Sequence, residues 1–311
     1  MKKSITALAA LLLAACAGRG DHKTAEQHRP AVYTHPIIPA TIVEPQDRID
    51  YMREHFWDCI DFADTLALAK ADTSMMLQSY AEYAVMCSWN NDPKPVASLM
   101  RRAAQNKFAL QYFSMLAEEI FYDPNSPLRN DELYIPVLEA QIASPLLDKY
   151  EKMAPQYRLR MAQLNRVGQQ ANDFAYTTAD GRSAPMYGVK ADYTLLFFNN
   201  PDCNMCREIT GALEESPTLG ELQAAGRLKV LALYPDEDME AWHAHAPQMP
   251  PQWINAYDGR HTIRDGQLYD LKAIPSLYLL DRDKKVLLKD AADVSYIEYY
   301  LSELEAARSA S

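Results

Sequence analysis

The chain has 311 residues, of which 48% are hydrophobic and 23% charged, and its formal net charge is -11. This length and composition predict a globular protein with two hydrophobic cores rather than one. The acidic balance argues against a nucleic-acid-binding protein, because binding to phosphate backbones depends on clustered Lys and Arg. Acidic and basic residues are interspersed, so charge gives no further functional signal.

Residues 1–15 have the pattern of a secretory signal peptide. Lys2 and Lys3 precede an apolar run that is too short to span a bilayer as a helix. The run ends in LAAC at positions 13–16, which resembles the lipobox at which bacterial lipoproteins are cleaved and then lipidated on Cys16. The alternative is an ordinary signal peptide with a chance cysteine near its cleavage site. We expect a cell-envelope lipoprotein, lipid-anchored to a membrane outside the cytoplasm, on the periplasmic face or at the outer membrane.

Residues 16–45 are the predicted lipidated N-terminus and flexible tether. The segment is polar and has prolines at positions 30, 36, 39 and 45. Neither helix nor sheet tolerates this composition well, so we expect the segment to stay extended and to hold the folded part of the protein away from its anchor.

Apolar residues repeat at helical spacing over residues 46–165. The first two stripes are Ile49, Met52, Phe56 and Ile60, then Met76, Tyr80, Tyr83, Ala84 and Cys87. Thr73 or Ser74 is the predicted N-cap of the second helix, and Ser144 that of a helix beginning at Pro145. The span has no glycine and almost no alternation of period two, so it predicts an all-helical domain of five to seven helices.

Three stretches of this domain carry a resemblance: HFWD at 55–58 with Asp61-Phe62, FYDPNSPLRN at 121–130, and LYIPVLE at 133–139. They resemble an uncharacterised helical domain that precedes thioredoxin-like modules in Gram-negative lipoproteins. The resemblance implies an architecture and no chemistry. We interpret the aromatic and Met stripes as core packing rather than a ligand groove, and Arg129 as an anchor for carbonyl groups rather than a substrate contact.

Short β-rich runs and helical stretches alternate over residues 166–311. Four strands are predicted, at 193–198, 228–234, 276–280 and 286–288. A helix over about 203–216 connects the first two strands, which makes them a parallel crossover unit, and the last two form a hairpin. Asp293 is the predicted N-cap of a final helix. This order predicts an α/β domain with a mixed sheet.

Two cysteines, Cys203 and Cys206, follow the first of these strands directly. Such a pair serves as half of a zinc site, as a structural disulfide, or as a dithiol that is oxidised and reduced in turn. At the start of a helix, unpaired N–H groups and a partial positive charge favour a thiolate and lower its pKa. Cys203 is therefore the expected nucleophile, and Cys206, nearly one turn later, the expected resolving cysteine.

The run CNMC at 203–206 after an apolar strand, with AIPSLYLLD at 273–281 downstream, resembles the thioredoxin-like fold. Within that fold it resembles the membrane-anchored thiol-disulfide oxidoreductases of the TlpA/ResA type. GQQANDF at 168–174 followed by Asp180-Gly181 is similar to their entry hairpin, so the resemblance covers about residues 167–307. This resemblance is specific, because it rests on four features in a fixed order: a strand, CxxC, a helix and Ile-Pro-Ser.

The resemblance implies roles for two residues beside the dithiol. Pro275 is expected to be a cis-proline, with Ile274 as its bulky predecessor, and the backbone there is expected to pair with the substrate chain. The interval between Cys203 and Pro275 leaves room for an inserted helix and strand beyond a minimal thioredoxin, with residues 238–253 within the insertion.

Three positions depart from the family pattern. Asp202 precedes the first cysteine where this fold usually has tryptophan, and its carboxylate should oppose a nearby thiolate. Phe197 lies where relatives often have a buried acid that moves protons, so proton transfer would use water or another group. Lys284 lies where the hairpin usually has glycine, which raises a question of local strain.

Other interpretations of the cysteines remain. A zinc site lacks ligands, since only His243 and His245 lie nearby in sequence and we expect them to face solvent on a helix; we predict no metal and no cofactor. A peroxiredoxin-type peroxidase would need Thr or Ser where the chain has Asn200. A permanently closed structural disulfide is the main alternative. Cys59 and Cys87 either bridge neighbouring helices or remain two buried thiols.

The sequence therefore predicts an α/β thioredoxin-like fold C-terminal to an all-α helical domain. The predicted function is extracytoplasmic thiol–disulfide exchange with protein substrates, in which Cys203 attacks and Cys206 resolves. An unidentified thiol donor would supply electrons, because nothing in the chain resembles a flavin or nicotinamide site. The alternative is a non-catalytic binding or scaffold lipoprotein whose redox fold has lost its activity.

Overall fold

The structure is a computed structural model that describes residues 31–291 and 293–309. The predicted signal peptide and the lipidation site Cys16 lie outside the described residues. Among the helices that are described, none combines the length and hydropathy that a bilayer-spanning segment requires.

Residues 31–44 of the predicted tether contain neither helix nor strand, and its last residue, Pro45, begins the first helix. The first described residues nevertheless contact the helical domain. The ring of Tyr33 stacks on that of Phe56 with centroids 4.6 Å apart. The Ala31 N–H donates to the carbonyl of Ala67 at 2.9 Å. This end of the segment therefore lies against the folded domain instead of extending freely.

Seven α-helices build the N-terminal domain within the described residues, in line with the predicted number. They are α1 (Pro45–His55), α2 (Thr65–Ala69), α3 (Thr73–Ser88), α4 (Lys94–Ala103), α5 (Lys107–Ala117), α6 (Asp131–Ala143) and α7 (Met153–Ala162). A short π-helix, Glu118–Tyr122, continues α5 into the loop before α6. The core is aromatic, with Trp57, Tyr80, Tyr83, Phe113 and Phe121 all at most 2% exposed. The interpretation of the stripes as core packing is confirmed.

Two predicted helix starts in this domain are wrong. The N-cap of α3 is Asp72 rather than Thr73 or Ser74, because its carboxylate accepts from the N–H groups of residues 74 and 75 at 2.9 and 3.1 Å. No helix begins at Pro145; residues 145–152 form turns and α7 begins at Met153. The Asp148 carboxylate accepts from the two N–H groups at positions 150 and 151, a local bond pattern that competes with a helix.

The C-terminal domain contains a seven-stranded mixed sheet within the described ranges. Its strands are β1 (Ala175–Thr178), β2 (Ser183–Pro185), β3 (Tyr193–Phe198), β4 (Leu228–Tyr234), β5 (Ile254–Tyr257), β6 (Ser276–Leu280) and β7 (Val286–Leu288), in the order β2-β1-β5-β4-β3-β6-β7. The central strand β3 is parallel to β4 and antiparallel to β6. The four predicted strands, the parallel crossover and the hairpin are confirmed.

The α-helices described in this domain are α8 (Asn204–Glu215), α9 (Pro217–Ala224), α10 (Met239–His245), α11 (Thr262–Asp265) and α12 (Val294–Ser309). The inserted helix and strand are α10 and β5. Because side chains of a strand alternate between faces, Leu195 and Phe197 pack under α8, whereas Leu196 and Phe198 pack on the opposite face against Phe174. All six residues of β3 are buried, as expected for a central strand covered on both faces.

Two further predictions for this domain concern the cap of the final helix and the lysine in the last hairpin. Asp293 accepts from the Ser295 N–H at 2.9 Å, so its prediction as a cap of the final helix is confirmed. Lys284 adopts a φ of +65°, the left-handed region that favours glycine. Its buried ammonium donates to Thr194 Oγ1 at 2.8 Å, which gives the lysine a partner beneath the hairpin.

Candidate active site

The two cysteines lie where the central strand ends and α8 begins. Cys203 is the N-cap of α8 and has an extended backbone, with φ -92° and ψ 110°. Its Sγ accepts the N–H of Cys206 at 3.0 Å. The buried side chain of Asn199 donates to the carbonyl of Phe197 at 3.0 Å and thereby fixes the end of β3. The strand thus places Cys203 at a helix N-terminus, where N–H groups and the helix dipole favour negative charge on sulfur.

Cys203 and Cys206 form a disulfide, with Cα atoms 5.2 Å apart. Their exposure differs: Cys206 is buried at 4% exposure, while Cys203 is only half-buried. A sulfur that solvent can reach is the one that an external thiol or disulfide can attack. The geometry is therefore compatible with the predicted order of a reactive first cysteine and a protected second one.

The Ile274–Pro275 peptide bond is cis, as the family resemblance implies. Pro275 precedes β6, and the first residue of that strand, Ser276, pairs with Phe198 at the end of β3. The antiparallel pairing brings the proline next to the dithiol although the two are far apart in sequence. The Ile274 carbonyl oxygen lies 3.7 Å from Cys203 Sγ.

The charges around the sulfur pair differ from what the sequence indicated in one respect. Asp202 is exposed, as is His243, but His245 is partly buried rather than solvent-facing. Burial lowers the pKa of His245, and the nearby Arg207 cation adds to that lowering while Asp202 opposes it. His245 is therefore a neutral imidazole near the start of α8 at neutral pH. Within the described ranges, His, Cys, Asp and Glu side chains form no group of three or more suited to a metal ion.

The position of the family's buried acid is apolar in this chain. Phe197 is fully buried in the cluster against which Cys203 packs. Its ring lies 6.2 Å from that of Trp253, centroid to centroid, in an edge-on arrangement. Hydrocarbon thus fills the space beneath the disulfide, where a carboxylate would otherwise exchange a proton with Cys206.

A cleft between the two domains reaches Ile274, the residue before the cis-proline. It has a volume of about 470 Å³ and is lined from the helical domain by Tyr122, Tyr157 and Met161. The thioredoxin-like domain contributes Tyr269 and Ile274 among others. Ile274 links the cleft to the disulfide, because its carbonyl oxygen lies 3.7 Å from Cys203 Sγ, although neither cysteine lines the cleft. Sequence reasoning missed this cleft, since its walls come from segments of both domains that are far apart in the chain.

An ionic cluster joins the domains behind the cleft. Asp131, in the first turn of α6, accepts from Lys272 Nζ at 2.8 Å and lies 2.7 Å from Lys289 Nζ. All three side chains are about nine-tenths buried. Burial favours the neutral acid, but Lys289 and Lys272 outweigh it and hold the pKa of Asp131 below its usual range. Asp270 lies 3.4 Å from Lys272, and burial raises its pKa despite that neighbour.

Arg129 contacts the same region from the helical domain. Its Nη1 donates to the Pro124 carbonyl at 2.7 Å and its Nη2 to the Asp290 carbonyl at 2.9 Å. The guanidinium also pairs with the Asp290 carboxylate, with Nε and Oδ2 3.0 Å apart. The interpretation of Arg129 as an anchor for carbonyl groups is confirmed, although the sequence did not indicate that one of the carbonyls belongs to the other domain.

Cys59 and Cys87 are not bonded to each other. Cys87 is fully buried, and burial raises the pKa of its thiol to about 12. Cys59 is exposed and accepts the Thr34 N–H at 3.4 Å. The two residues are thus separate thiols, but only Cys87 is buried.

Residues 15–165 match the family described as a domain of unknown function, DUF5106. The crystal structure of a thioredoxin-like protein from Bacteroides caccae ATCC 43185 is 42% identical to this chain, with a TM-score of 0.83; the match covers 87% of this chain and 98% of that one. The C-terminal domain of an uncharacterized protein from Bacteroides fragilis NCTC 9343 is 46% identical, covering 44% of this chain and 98% of its own, with a TM-score of 0.43.

The thioredoxin domain of a thiol-disulfide oxidoreductase from Bacteroides vulgatus is 19% identical, covering 45% of this chain and 96% of that one, with a TM-score of 0.37. No curated protein matches the chain. The Bacteroides caccae match extends over both domains. The chain therefore belongs to the same family of thioredoxin-like proteins, with a DUF5106 domain preceding the thioredoxin-like one.

Proposed function

We propose that this protein is an extracytoplasmic thiol–disulfide oxidoreductase that exchanges disulfides with protein substrates. One observation carries the proposal: a half-exposed Cys203 caps α8, forms a disulfide with buried Cys206 and lies 3.7 Å from the carbonyl that precedes a cis-proline. A merely structural disulfide needs neither a helix N-terminus nor a solvent-accessible first sulfur beside a buried second one. Thiol exchange uses both.

The reduced protein would act in two steps. The Cys203 thiolate attacks one sulfur of a substrate disulfide, which forms a mixed disulfide and releases the other substrate sulfur as a thiolate. The Cys206 thiolate then attacks Cys203 Sγ, which closes the internal disulfide and releases the second substrate thiol. Two electrons pass from the protein to the substrate, and an external dithiol donor returns them. The Cys206 N–H, 3.0 Å from Cys203 Sγ, would stabilise the attacking thiolate.

The substrate chain would lie beside Pro275 and extend into the interdomain cleft. The cleft's walls combine charged side chains such as Arg264 and Asp270 with an apolar part formed by Tyr122, Tyr157 and Ile274. We propose that this apolar part accepts an apolar or aromatic side chain next to the substrate cysteine. We also propose the cell envelope as the location, with Cys16 as the lipid-bearing residue, on the grounds of the N-terminal pattern alone.

The direct test is turnover of a protein disulfide with a dithiol as electron donor, using the mature chain, Cys203→Ser and Cys206→Ala. We expect activity in the parent chain and a loss of at least about a thousandfold in Cys203→Ser. Cys206→Ala should accumulate a mixed disulfide with the substrate through Cys203. Absence of turnover together with absence of any trapped species would refute the proposal.

Phe197 supports one competing function, a binding or scaffold protein with an inactive redox fold. Without a buried acid, proton transfer to and from Cys206 relies on solvent, which reaches a 4% exposed residue poorly. In such a protein the disulfide is permanent. The same experiment separates the two functions, because a permanent disulfide gives neither turnover nor a trapped intermediate.

A further inference from the structure

We infer that the helical domain positions the substrate-binding cis-proline loop through Arg129 and Asp131, and that these are positioning residues of the redox site. The inference rests on the proposed function. The cis-proline loop is defined here as residues 271–276. Its first four residues are half-buried, and the carbonyl oxygen of Ile274 lies next to Cys203. The two anchoring residues lie on either side of the N-cap of α6.

The upstream side of the loop is held by Asp131. Lys272, two residues before Ile274, donates to Asp131 Oδ1 at 2.8 Å, and its ammonium lies 4.7 Å from the centre of the Tyr122 ring. The aspartate itself is fixed, because its other oxygen contacts Lys289 at 2.7 Å. Lys289 in turn donates to the carbonyls of residues 162 and 164 at 2.8 and 2.7 Å, at the end of the helical domain. Both ends of the Lys272 bond are therefore constrained.

The downstream side is held by Arg129 through Asp290. Ser276, the residue after Pro275, donates its hydroxyl to Asp290 Oδ1 at 2.7 Å. Arg129 binds the same aspartate at its carboxylate and at its backbone carbonyl. A planar guanidinium with several donors fixes its partner's orientation better than an ammonium would. A bond between Arg129 and the Pro124 carbonyl prevents the arginine from following a moving loop.

One short segment of the helical domain thus holds the loop directly at Lys272 and, after Pro275, indirectly through Asp290. Charge-assisted hydrogen bonds between buried groups are strong and geometrically specific, and losing one partner leaves a buried charge uncompensated. These bonds favour one position of the loop, with its carbonyl 3.7 Å from Cys203 Sγ. The bonds of Arg129 and Asp131 reach the loop and Asp290 rather than the sulfurs, so their effect on exchange is indirect. The role of the helical domain is then specific, because it sets the geometry of the substrate backbone site.

The test compares Lys272→Met and Asp131→Asn with a matched control, Glu132→Gln. Glu132 is the next residue of α6, and its carboxylate pairs with Arg166 rather than with the loop, with Oε1 and Nε 2.8 Å apart. Asp131→Asn leaves buried Lys289 without a carboxylate and Lys272 with Asp270 alone, and it can unfold the protein. Lys272→Met is the milder change, because Asp131 keeps Lys289 as its partner and burial already raises the pKa of Asp270 towards the neutral acid.

For each variant that folds, KM and kcat are measured with a cysteine-bridged peptide, and amide hydrogen exchange is measured over residues 272–276. We expect Lys272→Met to raise KM about tenfold while kcat changes less than about threefold, because the site is misplaced and the sulfur chemistry is intact. Exchange in the loop should rise in Lys272→Met and stay at the parent rate in Glu132→Gln. Equal KM and equal loop exchange in Lys272→Met and Glu132→Gln would overturn the inference.

The two proposals fail in different ways. If the parent chain has no exchange activity, the proposed function is wrong, and hydrogen exchange over the loop still decides whether Lys272 and Asp131 hold it. If the parent chain is active and Lys272→Met leaves KM and loop exchange unchanged, the function stands and the positioning role is wrong. A Ser276→Ala variant tests the contact through Arg129 independently, because it removes the bond between the loop and Asp290. We expect the same rise in KM.

Discussion

The sulfur of Cys203 lies where three influences meet: the N-terminus of α8, the exposed carboxylate of Asp202 and the carbonyl of Ile274. The helix N-terminus favours a thiolate, whereas Asp202 disfavours it by repulsion between like charges. Because Asp202 is exposed, water screens its effect, and we expect the helix and the Cys206 N–H to prevail.

Removing the Asp202 charge therefore gives a first prediction. Asp202→Asn should lower the pKa of the Cys203 thiol in the reduced protein, because a repelling carboxylate is gone. The pKa can be followed by the ultraviolet absorbance of the thiolate in a Cys206→Ala background. Glu303→Gln, on the exposed face of α12, is a control that should leave the titration unchanged. A raised pKa in Asp202→Asn would show that the residue acts in another way.

Asp131 gives a second prediction, on stability and pH. Its folded-state pKa is held below the unfolded value of about 3.9. Its stabilising contribution is therefore fully present above that value and is lost as pH falls through the folded pKa. Asp131→Asn should lower the free energy of unfolding by about 3–5 kcal/mol at pH 7, since buried Lys289 loses its carboxylate partner and Lys272 keeps only Asp270.

Urea titrations of the parent chain and Asp131→Asn at neutral pH and at a pH about one unit below the unfolded pKa measure this difference. It should shrink at the lower pH, because Asp131 of the unfolded parent chain is mostly protonated there, while the two lysines oppose protonation in the folded chain. Glu132→Gln, whose partner Arg166 is more exposed than Lys272, should cost less than about 1 kcal/mol. A difference that grows on acidification would contradict the assignment of the buried pair.

Helix α7 and the cis-proline loop face each other across the interdomain cleft. Tyr157 of α7 is 44% exposed and lines the cleft, an unusual position for a large aromatic side chain in a domain whose core is largely aromatic. The exposed ring is available to a side chain of a bound polypeptide. A large and a small substrate can distinguish the role of Tyr157 from that of the dithiol, because only the large one fills the cleft.

Tyr157→Ala should raise KM for a cysteine-bridged peptide about three- to tenfold, the size of effect that truncating one contact aromatic produces. Turnover of a small aromatic disulfide, which reaches Cys203 without filling the cleft, should stay within about twofold of the parent rate. Tyr150→Ala removes a ring that is 70% exposed and lies outside the cleft lining, and it serves as the control. Equal losses with both substrates would place the effect at the dithiol.

Local signals predicted most of the elements. The apolar run of β3, the CxxC at the start of α8 and the Ile-Pro-Ser before β6 are each short-range patterns, and the structure contains all three in the predicted order. The errors are also local: Asp72 is the cap where Thr73 was expected, and Asp148 forms turns where a helix was expected from Pro145. In both cases an aspartate side chain competes successfully for backbone N–H groups.

The sequence did not indicate the ion pairs that connect the two domains. Lys272 and Asp131 are 141 positions apart, and Arg129 and Asp290 are 161 apart. No periodicity or motif predicts such a pair; only the folded arrangement brings the charges together. The one signal in the sequence was the lysine two residues before Ile-Pro, a charge in a stretch that the structure partly buries. The sequence thus implied an architecture for the helical domain and no chemistry, whereas its contacts tie it to the cis-proline loop and to Asp290.

The reduction potential of the Cys203–Cys206 pair tests the central claim most directly. The mature chain without its lipid anchor is equilibrated with glutathione or dithiothreitol buffers, and the fraction of disulfide is read by thiol labelling. We predict a reversible couple above about -300 mV, the range of disulfides that exchange with thiol pools. A potential below that value, or a disulfide that does not equilibrate with the buffer, would identify a structural bridge and contradict the proposed exchange function.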